Sequence, residues 1–407
     1  MDIVTKEKNY GIELLRILAT LFVLLIHILG RGGVYPYAGI AENLEAHPAS
    51  YTVSWILETA GYGAVDLFAL VSGFVGINSR YRTKKWLKLW VGVVFLSVFI
   101  FFLFDKCTFI FSGFNELLHA IIPSVKEGVE QYAATAHDYL DSVFVIGTKQ
   151  YWYFNMYTLL FMLMPLINAG IGKLEKKQLF VLSLSLFFAA SIYKTIFDTD
   201  LFILGGGYSA IWLLIMYIFG ATVRKFYDDG LRPNKLLCLL GYVLCVGIAS
   251  GFRFLFNYLH DLHPENEVFS DKNGLLISYT SPFIVLGCVF LLFIFMRINL
   301  RTKAGRKIAQ FFAGASFGIY IIQVHTAIWD NYLKNRFYKF AYEPTPLMVL
   351  HIFAVLVMLY LFFGAIEILR IYLFKLTRLD RLIERIGDGI DSAVRRLISR
   401  EKRKKEV

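Results

Sequence analysis

The sequence predicts an all-α, polytopic membrane protein with about ten transmembrane helices and both termini in the cytosol. Of the 407 residues, 57% are hydrophobic and only 18% are charged, whereas soluble globular proteins average about 25% charged residues. Apolar segments of about 20 residues, enough to cross a bilayer as a helix, recur along the whole chain. Lys and Arg are concentrated in alternate loops, as the positive-inside rule requires.

The ten predicted spans share an apolar composition and the length of a membrane helix. They cover residues 11–30, 58–78, 86–104, 151–170, 178–197, 207–224, 236–256, 279–297, 307–328 and 347–374. Basic residues are dense before the first span and after the second, fourth, sixth and eighth spans, and sparse in the longer loops between. This asymmetry predicts that both termini are cytosolic, which agrees with an even number of spans.

The charge and cysteine content argue against several functional classes. The net charge of +11 comes from loops and the tail, so it indicates membrane topology and no nucleic-acid partner. The four cysteines, Cys107, Cys238, Cys245 and Cys288, form no CxxC pair, so we expect buried hydrophobic residues and no metal site. No Walker or Rossmann glycine loop is present.

Two segments lie outside the predicted spans. The external stretch 105–150 contains a helix-like piece, NELLHAII, and is interpreted either as a lid or acceptor platform or as an interfacial loop that covers helix ends. The tail, 375–407, has apolar residues at steps of three and four with arginines between them. We therefore predict a membrane domain, 1–374, followed by a basic amphipathic helix, 375–407, on the cytosolic surface.

The first span contains an arginine and a histidine in an otherwise apolar stretch. Arg16 and His27 are eleven residues apart, about three helical turns and about 16 Å, so both project from nearly the same face. Ionisable groups inside a membrane are costly, which makes them functional candidates. We expect the pair to reach one chamber at two depths, with Glu13 partly neutralising Arg16. The alternative is a snorkelling arginine and a histidine hydrogen-bonded within the bundle.

The chemistry of these side chains suggests their roles. A guanidinium near the cytosolic end suits a phosphate group, which Arg16 would bind in a bidentate manner. The imidazole of His27 suits deprotonation of a hydroxyl group. Asp66, in the outer half of the second span, is a candidate for holding the His27 ring in one tautomer.

Further polar residues occur in other spans. The predicted chamber-lining residues are Ser72, Tyr153, Asn155, Tyr320 and Gln323. Because lipid does not tolerate such groups, we expect them to face a shared interior. The alternatives are a small-residue packing patch around Ser72 and an aromatic belt around Tyr153.

Several ordered motifs resemble those of membrane acyltransferase family 3, whose members act on bacterial surface polysaccharides. The first is Arg16 followed by His27, with ten residues between them. The others are VDLFALVSGF (Val65–Phe74), YWYFNMY with a later Pro165, and SFGIYIIQVH (Ser316–His325). The resemblance extends over nearly the whole chain and includes the ten-span layout.

This resemblance implies transfer of an acyl group, usually acetyl, from cytosolic acyl-CoA to a hydroxyl of a cell-surface glycan or its lipid-linked precursor. The location implied is the bacterial cytoplasmic membrane. The family's first-span arginine and histidine correspond to Arg16 and His27, with His27 activating the acceptor or transiently carrying the acyl group. The late element, usually YLIH, reads YIIQ here, so Gln323 stands at the usual histidine position.

The resemblance also points to basic residues after the second span that would hold CoA. The family's basic pair falls on Lys85 and Lys88, where arginine is more usual, and Arg80 and Arg82 are possible substitutes. The same cluster is also what positive-inside topology alone would produce. Two other functional classes stay open, a transporter or exporter of a glycan or small anion and a scaffold for glycan-assembly enzymes.

Overall fold

A computed structural model of the chain describes residues 9–77, 79, 81–148 and 150–405. Side chains beyond residue 397 are left out of the description. Within this part of the chain the secondary structure is helical and no β-strand occurs.

Eighteen α-helices follow one another along the described residues. They are α1 (Tyr10–Leu29), α2 (Val34–Ala38), α3 (Ala41–Ala46), α4 (Pro48–Tyr62), α5 (Ala64–Gly76), α6 (Thr83–Lys106), α7 (Phe109–Ile121), α8 (Ala136–Val143), α9 (Trp152–Lys173), α10 (Lys176–Phe187), α11 (Lys194–Phe197), α12 (Ala210–Asp228), α13 (Lys235–Leu262), α14 (Val268–Lys272), α15 (Pro282–Phe295), α16 (Lys303–Gln323), α17 (Thr345–Leu376) and α18 (Leu379–Lys405). A π-helical segment, Phe188–Tyr193, joins α10 to α11.

The prediction of an all-α, polytopic membrane protein is confirmed. Among the described residues, eight helices or continuous helix pairs are long and apolar enough to cross a bilayer. A ninth span is a broken one, because α16 and the segment Ile328–Tyr342 meet at 78°. The eighth predicted span, 279–297, contains only the 14-residue helix α15, which is shorter than the about 20 residues that a bilayer requires.

Helix α1 lies at the centre of the bundle, in contact with α4, α5, α15, α16 and α17. It begins where Asn9 caps it, because the Asn9 side chain accepts a hydrogen bond from the Gly11 amide at 3.0 Å. The Asn9 amide nitrogen also donates to the Met296 carbonyl oxygen at 2.8 Å, which fixes α1 to the end of α15. The beginning of the first predicted span is therefore held by the protein itself.

Helices α5 and α12 approach each other unusually closely. A Cβ atom added at Gly73 would lie 1.9 Å from the Tyr217 carbonyl oxygen, and one added at Gly220 would lie 1.9 Å from the Leu70 carbonyl oxygen. Only glycine fits at such a crossing. Gly73 therefore belongs to a small-residue packing patch, one of the two interpretations of the Ser72–Gly73 pair.

The external stretch 105–150 packs against the bundle and against the segment that follows α16. The predicted helical piece NELLHAII forms the last part of α7, and its final residue, Ile122, follows the end of that helix. Arg336 donates from Nη1 to the Lys126 carbonyl oxygen at 2.9 Å, and the Lys126 amide donates back to the Arg336 carbonyl oxygen at 2.9 Å. Tyr132 stacks on Phe101 of α6, with ring centroids 5.6 Å apart. These contacts hold the stretch across one end of the bundle.

The tail forms α18, which packs against the beginning of α6. Glu384 accepts from the Lys88 ammonium at 2.6 Å, and Asp388 accepts from the Lys84 ammonium at 3.0 Å. The hydrogen bond and the positive charge of Lys88 lower the pKa of Glu384 below its usual value. The tail therefore binds to α6 of the same chain, while its exposed apolar residues suit contact with a membrane surface.

Candidate active site

Arg16 opens onto a cavity of about 390 Å³, which we call the inner cavity after the predicted orientation. Its wall also contains Ser72 of α5, Lys85 of α6 and Tyr157 of α9. The Lys85 ammonium donates to the Ser79 hydroxyl at 2.6 Å. Two cations on one wall make this cavity suitable for an anion.

Glu13 moderates the charge of Arg16. Its carboxylate accepts from Arg16 Nη1 at 3.2 and 3.4 Å, which confirms the predicted contact across one turn of α1. The Arg16 side chain nevertheless keeps 32% of its surface exposed. The guanidinium is therefore held in place while several of its N–H groups stay available to a ligand.

His27 opens onto a second and larger cavity of about 810 Å³, the outer cavity. Most of its wall is aromatic or polar, and its members come from α1, α2, α4, α9 and several connecting segments. They include Arg31, Tyr35, Glu58, Tyr62, Gln150, Trp152, Tyr208, Tyr279 and Trp329. Such a wall combines flat apolar faces with a few hydrogen-bonding groups, which is typical of sites for small polar molecules.

The His27 ring is held by two contacts. Its Nδ1 lies 3.2 Å from Gln323 Oε1 on α16. The ring also packs in a T-shaped arrangement against the Trp329 ring, with the ring centroids 4.7 Å apart and the planes at 84°. With the Gln323 amide in this orientation its oxygen can only accept, so the contact assigns the proton to Nδ1, which donates it to Gln323. The other ring nitrogen, Nε2, keeps its lone pair and can accept a proton.

The structure corrects the expectation of a single chamber. Among the described residues, none lines both cavities. Tyr153 lies between them, since its ring stacks on Tyr157 of the inner cavity at 6.0 Å and meets Trp152 of the outer cavity at 5.8 Å. Tyr320 packs edge-on against Tyr153 at 5.7 Å. The sequence could place Arg16 and His27 on one face, but not the aromatic side chains that separate their surroundings.

A comparison with known protein families finds one that covers this whole arrangement. The sequence model of the Acyltransferase domain, family 3, matches residues 9–367. The chain belongs to membrane acyltransferase family 3. Comparisons with curated proteins and with solved structures find no match.

The predicted contact between Asp66 and His27 is wrong for this acyltransferase. Asp66 is fully buried, and its Oδ1 accepts from the Trp212 indole N–H at 2.8 Å. This bond ties α5 to α12, while Gln323 occupies the position beside His27 that was expected for the carboxylate. Gln323 is therefore a ring-holding residue and does not line either cavity.

The predicted CoA-binding residues of the acyltransferase separate into three groups. Arg16 and Lys85 line the inner cavity. Lys88 points elsewhere, because its ammonium pairs with Glu384 of α18. Arg82 is exposed at the start of α6 and lies outside the inner-cavity wall, and Arg80 lies outside the described residues.

Two predicted chamber residues have structural contacts instead. Asn155 donates from its amide to the Thr148 carbonyl oxygen at 2.7 Å, which fastens the end of the external stretch to α9. Tyr320 is buried between the two cavities and lines neither of them. Ser72 alone of the five predicted chamber residues reaches a cavity wall.

Sequence reasoning missed the residues that complete the outer cavity. Glu58 lies in α4 and is the first residue of the second predicted span, 58–78, and Gln150 lies in the external stretch. Trp329 belongs to the π-helical segment Ile328–Leu333, after the last motif. A glutamate preceded by apolar residues, SWILE, was a possible signal for Glu58; no local signal marks the other two.

Proposed function

We propose that the protein is an integral membrane O-acyltransferase that moves an acyl group, most simply acetyl, from acyl-CoA to a hydroxyl of a cell-surface glycan or its lipid-linked precursor. The observation on which this rests is the position of His27, whose protonated Nδ1 is held by Gln323 while the ring opens onto the outer cavity. Membership of the acyltransferase family supports the reaction type. The donor, the acceptor and the cell membrane as the location are part of the proposal.

The reaction follows from the lone pair on His27 Nε2. Nε2 takes the proton of an acceptor hydroxyl as the oxygen attacks the thioester carbonyl carbon. The carbon–sulfur bond breaks, and the leaving CoA thiolate takes the proton from His27, which restores the neutral ring. In the alternative, Nε2 first attacks the thioester carbon and the carbon–sulfur bond breaks; the acceptor oxygen then attacks the acyl carbon, the carbon–nitrogen bond breaks, and the hydroxyl proton ends on the CoA thiolate.

The inner cavity supplies a place for the donor. The phosphate groups of acyl-CoA bind near Arg16 and Lys85, and the thioester lies at the far end of the flexible pantetheine arm. Because α1 separates Arg16 from His27 by about 16 Å, the arm must pass the layer of Tyr153 and Tyr320. The donor therefore has to displace these rings for transfer to occur.

The proposal is tested by mass spectrometry of surface glycans from cells with and without the gene. We expect one type of acyl increment to be lost when the protein is absent. Vesicles with purified protein test the transporter alternative, because CoA release from acyl-CoA supports the enzyme. Uptake of a glycan or anion without any acyl donor would contradict it.

A further inference from the structure

Two polar groups of the outer-cavity wall have no hydrogen-bond partner among the described residues. Glu58 is 6% exposed, and no donor in the described part of the chain reaches its Oε2. The Gln150 amide nitrogen is buried and equally unpartnered there. Both residues line the same wall as His27. Buried polar groups are normally hydrogen-bonded, and an unpaired carboxylate is the costliest exception.

The nearby arginine does not neutralise Glu58 by direct contact. Arg253 of α13 donates from Nη1 to the Asn273 side-chain oxygen at 3.1 Å. Its guanidinium also stacks over the Trp55 ring at 3.4 Å. No ion pair joins Arg253 to Glu58 among the described residues. Glu58 therefore lines the outer cavity without an ion-pair partner among the described residues.

Aromatic rings surround these polar groups. Tyr62 and Tyr279 face each other with centroids 5.0 Å apart and planes at 36°. Tyr208 contacts both Tyr279, at 5.2 Å, and Trp152, at 4.5 Å. A pyranose ring presents C–H groups on its face and hydroxyl groups around its rim. Flat aromatic faces beside a carboxylate and an amide suit both parts of such a ring.

We propose that Glu58 is the specificity-determining residue for the acceptor, a pyranose that stacks in the outer cavity. Two vicinal hydroxyls of the sugar donate to the Glu58 carboxylate, and the Gln150 amide donates to an oxygen of the same ring. A further hydroxyl is thereby presented to His27. This inference rests on the proposed function, because it assigns the acceptor site of that reaction.

The test measures saccharide binding without acyl-CoA. Purified protein in nanodiscs is titrated with a panel of uncharged methyl glycosides and their monodeoxy analogues, and binding is followed by the fluorescence of Trp152 and Trp329 in the cavity wall. We expect at least one glycoside to bind. Glu58→Gln should weaken that binding about tenfold, the loss typical of one hydrogen bond to a charged group.

The control is Glu42→Gln. Glu42 is exposed on the short helix α3 and lies outside the outer-cavity wall, so this variant should bind the glycoside as the wild type does. One monodeoxy analogue should bind about tenfold more weakly to the wild type and show no further loss with Glu58→Gln. That pattern would place the deleted hydroxyl against Glu58.

Two results would overturn the inference. They are binding of no panel member to the wild type, and equal binding to the wild type and to Glu58→Gln. An unchanged melting temperature and unchanged binding of acyl-CoA show that Glu58→Gln is folded and keeps its donor site. Glycoside binding without any acyl transfer would contradict the proposed function alone. Normal transfer by Glu58→Gln would contradict this inference alone.

Discussion

At the scale of single residues, the contact between His27 and Gln323 sets which ring nitrogen carries the proton. We predict that Gln323→Leu lowers kcat about tenfold to hundredfold, because Nδ1 loses its acceptor and the ring loses its orientation. The KM for acyl-CoA should not change, since Arg16 and Lys85 are untouched. Steady-state kinetics of purified protein separate the two constants.

Gln323→His provides the matched control for that variant. The family resemblance puts a histidine at this position, so activity should be largely retained. Equal activity of Gln323→Leu and the wild type would show that Gln323 does not position the ring.

The two lysines of the predicted CoA-binding pair should behave differently. Lys85→Ala should raise the KM for acyl-CoA about tenfold, because it removes a cation from the inner-cavity wall. Lys88→Ala should leave that KM unchanged, because Lys88 pairs with Glu384 and lies outside the cavity. If the KM for acyl-CoA rises equally in both variants, Lys88 also takes part in binding acyl-CoA, which would contradict this assignment.

How much of the site was predictable depended on how far apart its parts lie in the chain. The relation between Arg16 and His27 follows from helical periodicity within one span, and Glu13 follows from the same geometry. The partner of His27 lies 296 residues away on α16, so no local pattern could distinguish Gln323 from Asp66. Glu58 and Gln150 reach the outer cavity only through tertiary packing.

At the scale of helices, the docking of α18 on α6 depends on a close approach. A Cβ atom added at Gly387 would lie 2.6 Å from the Lys84 backbone, whereas one added at Gly389 would meet no atom within 4 Å. We predict that Gly387→Ala loosens α18 and speeds trypsin cleavage within it. Gly389→Ala should not speed this cleavage, because alanine is more favourable than glycine in a helix by about 1 kcal/mol.

The same interface should respond to pH. The lowered pKa of Glu384 means that its contribution to docking is fully present above the unfolded value. It is lost as the pH falls through the folded value. Protection of α18 from an acid-tolerant protease should therefore decrease only as the pH falls below 4.5, the usual pKa of a glutamate, and remain constant around neutrality. A loss of protection near neutral pH would contradict the assignment to Glu384.

Helix existence was predictable because the apolar segments are long, whereas irregular spans were not. The predicted segment 307–328 is continuous by composition, yet the chain turns by 78° after α16. His325 lies at this bend, fully buried, with Nε2 3.0 Å from the Ser97 carbonyl oxygen and Nδ1 accepting from the Ala327 amide at 3.1 Å. Such a bend is fixed by tertiary hydrogen bonds rather than by hydropathy.

At the scale of the whole molecule, the inner and outer cavities should open to opposite sides of the membrane. We predict that Ser79→Cys reacts with a membrane-impermeant maleimide only from the cytosolic side, and Thr326→Cys only from the outside. Ser79 and Thr326 line the inner and outer cavities, respectively. Right-side-out and inverted vesicles of a variant without the four native cysteines provide the comparison. Labelling of both positions from one side would contradict the predicted orientation.

The central claim is that His27 performs acyl transfer between a donor from the inner cavity and an acceptor in the outer cavity. Mass spectrometry of surface glycans tests it most directly, in cells that lack the protein and carry either the wild type or His27→Ala at equal membrane levels. The account predicts one acyl increment with the wild type and none with His27→Ala. An increment retained by His27→Ala, or absent with the wild type, would contradict it.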